Sequence, residues 1–477
     1  MRTIEHSYID GEFVIPSGTE RFDLHNPSTG EVIGQVRLGD VADTRRAIAA
    51  AKRAFPAFSR TTKEQRIEML RRLHAAVVAR ADELTQAVVL EYGGPVSVRA
   101  PWTRAAAGNF LDLAEALETF EFTRQAKSAK VIMQPVGVVG IITPWNSNYS
   151  FITNKLAAAI AAGCTCVIKP SEMSAIQTQV LTECLHAASL PRGVFNIVNG
   201  RGDVVGAELS ANRDVAKISF TGSTAVGKAI LRAGAETMKR VTLELGGKSP
   251  TVILDDADLE TAIPLAVAAG FQNNGQACIA GTRILVPEDR LAEASKLIVK
   301  AVNAVKVGDP NEPDTQLGPL VSQKQYERVQ RYIQAGLTEG ATLLIGGEGH
   351  PEGLGGYFVK PTVFANVTND MTIAREEIFG PVLALITYRT EEEALEIAND
   401  TDYGLQAYVI SSDPARAQAV AERIDAGRVL VNGLFHEPQA PFGGFKQSGI
   451  GREYGEFGIE AHLEAKAILD RRPPVRA

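Results

Sequence analysis

The stretch Val136-Gly137-Val138-Val139-Gly140-Ile141-Ile142, broken at once by Thr143-Pro144-Trp145-Asn146, decides how this chain folds. Its apolar residues run without alternation, as in a strand buried on both faces. The pattern returns downstream. A helical run from Thr153 to Ala162 leads to a second apolar strand, Cys164 to Ile168. A helix from Ser174 to Ala188 leads to Val194 to Val198, and Val215 to Phe220 and Val241 to Leu243 follow. Short apolar strands separated by helices predict a parallel sheet covered on both faces. Such a sheet binds ligands beyond the carboxyl ends of its strands, so chemistry is expected in the residues that follow each one.

Outward from this centre, Ser7 to Val14 reads as strand and Ala42 to about Phe120 as helix. Glu121 to Pro135 turns polar and then β-like, which predicts a projecting hairpin or arm. A second α/β region runs from Ser249 to about Ile459. Its expected strands are Thr251 to Leu254, Arg283 to Val286, Val382 to Tyr388, Ala407 to Ser411 and Arg428 to Val431. Long Gly- and Pro-rich connections, such as Pro438 to Gly451, are the kind that carry function.

Composition narrows the classes. The 477 residues hold 49 Lys plus Arg against 56 Asp plus Glu, a net charge of −7, which disfavours a phosphate-backbone binder. With 45% hydrophobic residues the chain can bury a substantial core, and its length suits about three domains at roughly 150 residues each. The N-terminus lacks the apolar core of a signal peptide, and no uncharged stretch approaches the ~20 residues that cross a bilayer. Four cysteines are too few for a disulfide scaffold and the histidines are scattered, so the expectation is a cytoplasmic protein with reduced thiols and no metal.

Three of those cysteines, Cys164, Cys166 and Cys184, sit among apolar neighbours and read as packing. Cys278 lies in the polar, Gly-punctuated loop Gln272-Asn273-Asn274-Gly275-Gln276-Ala277-Cys278, where a thiol is expected to be accessible. A nucleophile and an idle loop cysteine both fit. Glu244 closes an apolar strand ahead of Gly246-Gly247, where desolvation raises a carboxylate toward general-base range, or where it forms a salt bridge. Phe220-Thr221-Gly222-Ser223 opens a helix whose first N–H groups suit a pyrophosphate, although a strict G-x-G-x-x-G is absent. Lys169 and Glu172 follow a strand at a position suited to ribose hydroxyls, and Asn146 offers a side-chain amide.

In this order and spacing, Pro-Trp-Asn, Lys-Pro-Ser-Glu, Phe-Thr-Gly-Ser, Leu-Glu-Leu-Gly-Gly-Lys-Ser-Pro, Gly-Gln-x-Cys, Glu-Glu-Ile-Phe-Gly-Pro and Pro-Phe-Gly-Gly-Phe-Lys-Gln-Ser-Gly resemble the aldehyde dehydrogenase superfamily, over about Tyr8 to Ile468. The resemblance implies a Rossmann-like parallel-sheet cofactor domain (1–116 and 136–246), a second α/β catalytic domain (247–460) and a small β oligomerisation arm (117–135 and 461–477). It implies an aldehyde substrate, a homodimer or homotetramer, and no nucleic acid or membrane partner. Cys278 would be the nucleophile, with Asn146 and the Cys278 N–H holding the oxyanion, and Glu244 would activate water against the thioester. Lys155 and Glu453 match a proton path behind that base, although a helix lysine and a loop glutamate are usually solvated charges.

For the cofactor, the resemblance assigns Lys169 and Glu172 to the adenine-side ribose and Ser223 to the pyrophosphate. Glu377 falls to the nicotinamide ribose and Phe379 to the nicotinamide, with Trp145, Gly222 and Leu245 completing the set. Glu172 would repel a 2′-phosphate, so NAD is expected in preference to NADP, which stays open. Ser147, Asn154, Gln272 and Asn273 suggest a polar substrate channel, with Phe442 and His436 to Gln439 as its other wall. No arginine in the motif set marks a carboxylate-bearing substrate. The competing readings are a CoA-acylating relative, which tends to lack the Glu244 base, and a cysteine-dependent thioester hydrolase or acyltransferase without redox chemistry.

Overall fold

The computed structural model describes residues 2–469. Five consecutive strands, Val138–Ile142, Thr165–Lys169, Phe195–Ile197, Lys217–Thr221 and Arg240–Glu244, form the parallel centre of an eight-stranded sheet. Nearly all their residues are buried, as the unalternating apolar runs predict. From Val138–Ile142 the chain first builds outward through Thr165–Lys169 and Phe195–Ile197, then crosses to the other side for Lys217–Thr221 and Arg240–Glu244. The order therefore reverses between Val138–Ile142 and Lys217–Thr221, and the loops after those two strands diverge into a crevice. The strand pair Ser7–Ile9 and Glu12–Val14 closes one edge antiparallel, and Gly449–Ile450 closes the other from far along the sequence.

Only residues 245–249 separate the end of the first sheet from Pro250–Ile253, which starts a strand of the seven-stranded second sheet. That short link sets the carboxyl rim of the first sheet against the amino rim of the second. The second sheet holds Arg283–Pro287, Val382–Tyr388, Gln406–Ile410 and Arg428–Val431, as the sequence suggests. It also holds Thr342–Ile345 and Thr362–Ala365, two strands not singled out in the sequence. Near the N-terminus, Arg21–His25 and Val32–Arg37 pair antiparallel, a hairpin hidden by its charged, half-exposed residues.

The helical run resolves into four helices, Val41–Phe58, Lys63–Val78, Ala81–Tyr92 and Val96–Thr119. The expected arm is a three-stranded antiparallel sheet of Thr123–Ala126, Ala129–Pro135 and Leu463–Leu469. The rest of that arm segment, 470–477, lies outside the described residues. No described helix is long and apolar enough to cross a membrane.

Candidate active site

Where the two rims meet, residues from both sheets line a cleft of about 320 Å³. The first sheet contributes Trp145, Asn146, Gly222, Ser223 and Leu245, each just after a strand. The second contributes Cys278, Glu377 and Phe379, each just before one. The expectation that chemistry follows strands thus holds for half the site. The other half lies on an amino rim because the short link turns that rim toward the cleft.

The Cys278 loop is held by close backbone contacts. Asn273 and Asn274 adopt φ of 55° and 59°, a left-handed pair that asparagine tolerates. A Cβ on Gly247 would lie 2.3 Å from the Cys278 carbonyl oxygen, so the Gly-Gly pair after Glu244 allows the two loops to touch. Asn146 Nδ2 donates to the Gln276 carbonyl at 2.9 Å, and Asn273 Nδ2 donates to the carbonyls of Asn146 and Gln276, both at 3.0 Å. The Asn273 carboxamide oxygen accepts from Arg99, a fully buried guanidinium over the Tyr92 and Trp102 rings. Arg99 and Asn273 therefore fix the loop that carries the thiol. Neither was singled out as a support, because Arg99 lies in an unremarked helix.

Cys278 is half-buried, whereas Cys164, Cys166 and Cys184 are buried. Burial, then the Glu377 and Glu244 carboxylates, push its thiol up to about 12, with Arg428 opposing. Burial here therefore works against the thiolate that the nucleophile needs. Glu244 is 2% exposed and neither carboxylate oxygen has a hydrogen-bond partner. Burial and the nearby Glu453 charge raise it well above the usual carboxylate range.

Behind Glu244, Lys155 and Glu453 form an ion pair with side chains 0% and 10% exposed. This corrects the solvated-charge expectation. Glu453 also accepts from Asn154 Nδ2 at 3.0 Å and Ser219 Oγ at 3.3 Å, so the pair is hydrogen-bonded on both oxygens. Asn154 was expected in the substrate channel. Its amide is instead committed to Glu453, and it is buried. Asn273 bonds to the loop carbonyls and, with Gln272, also lines a cavity beside the loop.

On the cofactor side, Lys169 Nζ meets Glu172 Oε2 at 2.8 Å. Ser223 caps the helix Thr224–Ala235, its Oγ accepting from Val226 N at 3.4 Å. Glu377 accepts from Gly247 N at 3.0 Å, and burial raises its carboxyl to about 7. Phe379 adopts a φ of 63° and stands edge-on to Trp145, ring centres 5.4 Å apart. Gln325 Nε2 donates to the Phe379 carbonyl at 2.7 Å and Arg328 Nη2 to that of Glu377 at 2.6 Å. Both line the cleft, yet they belong to the helix Gln323–Thr338, which carries no motif. Ser448 Oγ donates to the Gly246 carbonyl at 2.7 Å, tying the late Lys-Gln-Ser-Gly segment to the Gly-Gly turn.

The cleft suits the nicotinamide and pyrophosphate side of a dinucleotide, while Lys169 and Glu172 lie outside its lining. The Thr221 hydroxyl is buried without a partner at the crevice, and a Cβ on Gly246 would sit 2.7 Å from Glu377. Of the expected channel residues, Ser147 turns its hydroxyl to the Asn146 carbonyl at 2.7 Å. Gln272 donates to Tyr408 Oη at 3.0 Å and lines a separate cavity of about 660 Å³ with Trp102 and Phe271. Phe442 pairs its backbone with Glu453 and packs on Tyr454. Among the described residues no cluster of three or more His, Cys, Asp or Glu is placed to hold a metal ion.

Comparison with known proteins identifies the family. The model of the aldehyde dehydrogenase family matches residues 13–468. A 3-succinoylsemialdehyde-pyridine dehydrogenase from a Pseudomonas species is 46% identical over 98% of this chain and 99% of its own. Aldehyde dehydrogenase C from Pseudomonas syringae, solved with NAD+ and octanal, superposes with a TM-score of 0.95 at 45% identity, covering 98% of this chain and 96% of that one. Betaine aldehyde dehydrogenase from Staphylococcus aureus, solved with NAD+, gives a TM-score of 0.94 at 36% identity, covering 97% and 96%. The competing hydrolase and acyltransferase readings have no counterpart among these relatives. The chain belongs to the aldehyde dehydrogenase family, and it is an oxidoreductase that acts on aldehydes.

Proposed function

We propose that the chain oxidises its aldehyde to the free acid through a thioester on Cys278, with NAD as the preferred cofactor. The observation that carries this reading is that Cys278, Asn146, Glu377 and Phe379 line one cleft, with Glu244 close enough for its charge to bear on the thiol. Cys278 gives its proton to solvent water, and the resulting thiolate attacks the carbonyl carbon. The oxyanion is received by the Cys278 N–H and by the second hydrogen of Asn146 Nδ2, whose first is held by Gln276. When bound, the nicotinamide supplies the hydride acceptor.

Glu377 and Trp145 hold that ring side, Phe379 packs against it, and Gly222, Ser223 and Leu245 take the pyrophosphate side. Lys169 and Glu172 take the distant ribose, where the Glu172 carboxylate disfavours a 2′-phosphate. Water then attacks the thioester with Glu244 as base, and the Glu453–Lys155 pair relays the proton away. The presence of Glu244 favours hydrolysis over transfer to CoA.

Residues 1–116 and 136–246 act as the cofactor unit, 247–460 as the catalytic unit, and 117–135 with 461–477 as the arm. Leu463–Leu469 is an arm edge strand exposed along all but its first residue, which supports a homodimer or homotetramer. Four free cysteines, three of them buried, suit a reducing cytoplasm. The test is NADH formation with an aldehyde panel, comparing wild type with Cys278→Ala. Loss of turnover is expected, and turnover that survives in Cys278→Ala overturns the mechanism.

A further inference from the structure

Arg428 carries a charge for which the protein supplies no counter-ion. It opens the strand Arg428–Val431 on the amino rim that faces the cleft, and it is half-buried. Its Nε donates to Gln406 Oε1 at 2.6 Å and its Nη1 to His436 Nδ1 at 3.2 Å. The guanidinium carbon lies 4.9 Å from the centre of the Phe442 ring. All three partners are neutral. Burial, then the guanidinium itself, depress the His436 pKa, so its Nδ1 serves as an acceptor. Among the described residues no carboxylate comes within ion-pair distance of Arg428, whereas Arg416 meets Asp255 at 2.6 Å and Glu391 at 2.8 Å.

Two of the five N–H groups of Arg428 are engaged, and three, including the Nη2 pair, are left over. A partly desolvated cation without an anion is costly, and an arriving carboxylate would relieve that cost in the bidentate geometry arginine favours. The position of Arg428 says which anion. Its charge reaches the Cys278 thiol, and the thiol reaches it in turn. Gln406 shares Tyr408 with Gln272, and Tyr408 Oη donates to the carbonyl of Ile279, next to Cys278, at 2.9 Å. Arg428 does not line the cofactor cleft, and the Phe442 ring under its guanidinium packs edge-on against Tyr454, ring centres 5.8 Å apart.

We propose that Arg428 anchors a carboxylate at the far end of the substrate, making ω-carboxy aldehydes the favoured class. This rests on aldehyde oxidation at Cys278, and it replaces the expectation that no arginine marks such a substrate. A neutral ketone oxygen in the same place accepts a hydrogen bond but leaves the charge uncompensated.

The test uses the purified full-length enzyme with NAD and measures NADH. Succinic, glutaric and adipic semialdehydes are compared with alkanals of equal carbon number and with a neutral 4-oxo aldehyde, for wild type, Arg428→Gln and Arg428→Lys. A charge-assisted contact predicts a semialdehyde-to-alkanal ratio in kcat/KM of about 10 to 150 at the best chain length, carried mainly by KM. Arg428→Gln should bring the ratio close to unity and Arg428→Lys should keep part of it. Three results overturn the proposal: a wild-type ratio at or below unity, equal preference for the neutral 4-oxo aldehyde, or an Arg428→Gln variant that loses activity on all aldehydes alike. No NADH from any aldehyde would instead strike the underlying reading. Should Arg428→Gln fail to fold, inhibition of wild-type alkanal oxidation by succinate, glutarate or adipate is expected, and its absence overturns the proposal.

Discussion

Replacing Glu244 with glutamine should make the protein more stable and the enzyme far slower. The carboxyl group is 2% exposed with both oxygens unpartnered, and burial together with Glu453 lifts its pKa well above the usual range. An acid whose folded pKa is raised retains a proton that the unfolded chain releases. Its contribution to stability is therefore complete below the unfolded pKa and is lost as pH rises toward the folded one. Each pH unit in that window costs about 1.4 kcal/mol. Glutamine fills the same volume and cannot ionise, so Glu244→Gln escapes the loss.

Urea unfolding of the two proteins between about pH 5 and 8 should give curves that diverge with rising pH, the variant above the wild type. The divergence stops once the folded pKa is passed. Steady-state NADH formation should fall by about 10²- to 10⁴-fold, the worth of a positioned general base. Parallel stability curves, or a variant that turns over at the wild-type rate, would refute the reasoning.

Asn146→Ala removes one oxyanion donor and should lower kcat by about 10²- to 10³-fold with little change in KM, read from steady-state kinetics. Glu453→Gln takes a negative charge from beside Glu244 and should move the acid limb of the kcat–pH profile to lower pH. Lys155→Met should move it to higher pH, because the ammonium lowers the Glu244 pKa. Lys155→Met alone should also cost about 3 to 5 kcal/mol by leaving Glu453 buried and unpaired, and most of that should return in the Lys155→Met/Glu453→Gln double variant, measured by urea unfolding. Glu172→Gln should raise kcat/KM for NADP relative to NAD, since it removes the carboxylate set against a 2′-phosphate.

The parallel strands were legible because a strand buried on both faces must be apolar throughout, as in Val138–Ile142 and Thr165–Lys169. Arg21–His25 and Val32–Arg37 were not, since their exposed faces carry Arg, Asp and Gln and nothing in the pattern separates them from loop. The site divides in the same way. Cys278, Glu244 and Asn146 stand beside glycines or prolines that mark their loops, and the family resemblance singled them out. Lys155 and Glu453 looked solvated because they are 298 residues apart, and only the packed fold buries one against the other. Asn154 shows the converse: a polar residue near the nucleophile was read as channel lining, whereas its amide nitrogen is taken by Glu453. Arg428 was overlooked because an arginine at a strand start is unremarkable until its surroundings prove to lack a carboxylate.

The central claim is that the reaction passes through an acyl group on Cys278 whose release needs Glu244. Glu244→Gln, mixed with NAD and a turned-over aldehyde and quenched after the first turnover, should yield about one NADH per active thiol. Intact-mass and peptide analysis should then find the acyl mass on the peptide that carries Cys278. A first-turnover burst with no acyl group there, or an acyl group on Cys164, Cys166 or Cys184, would contradict the account.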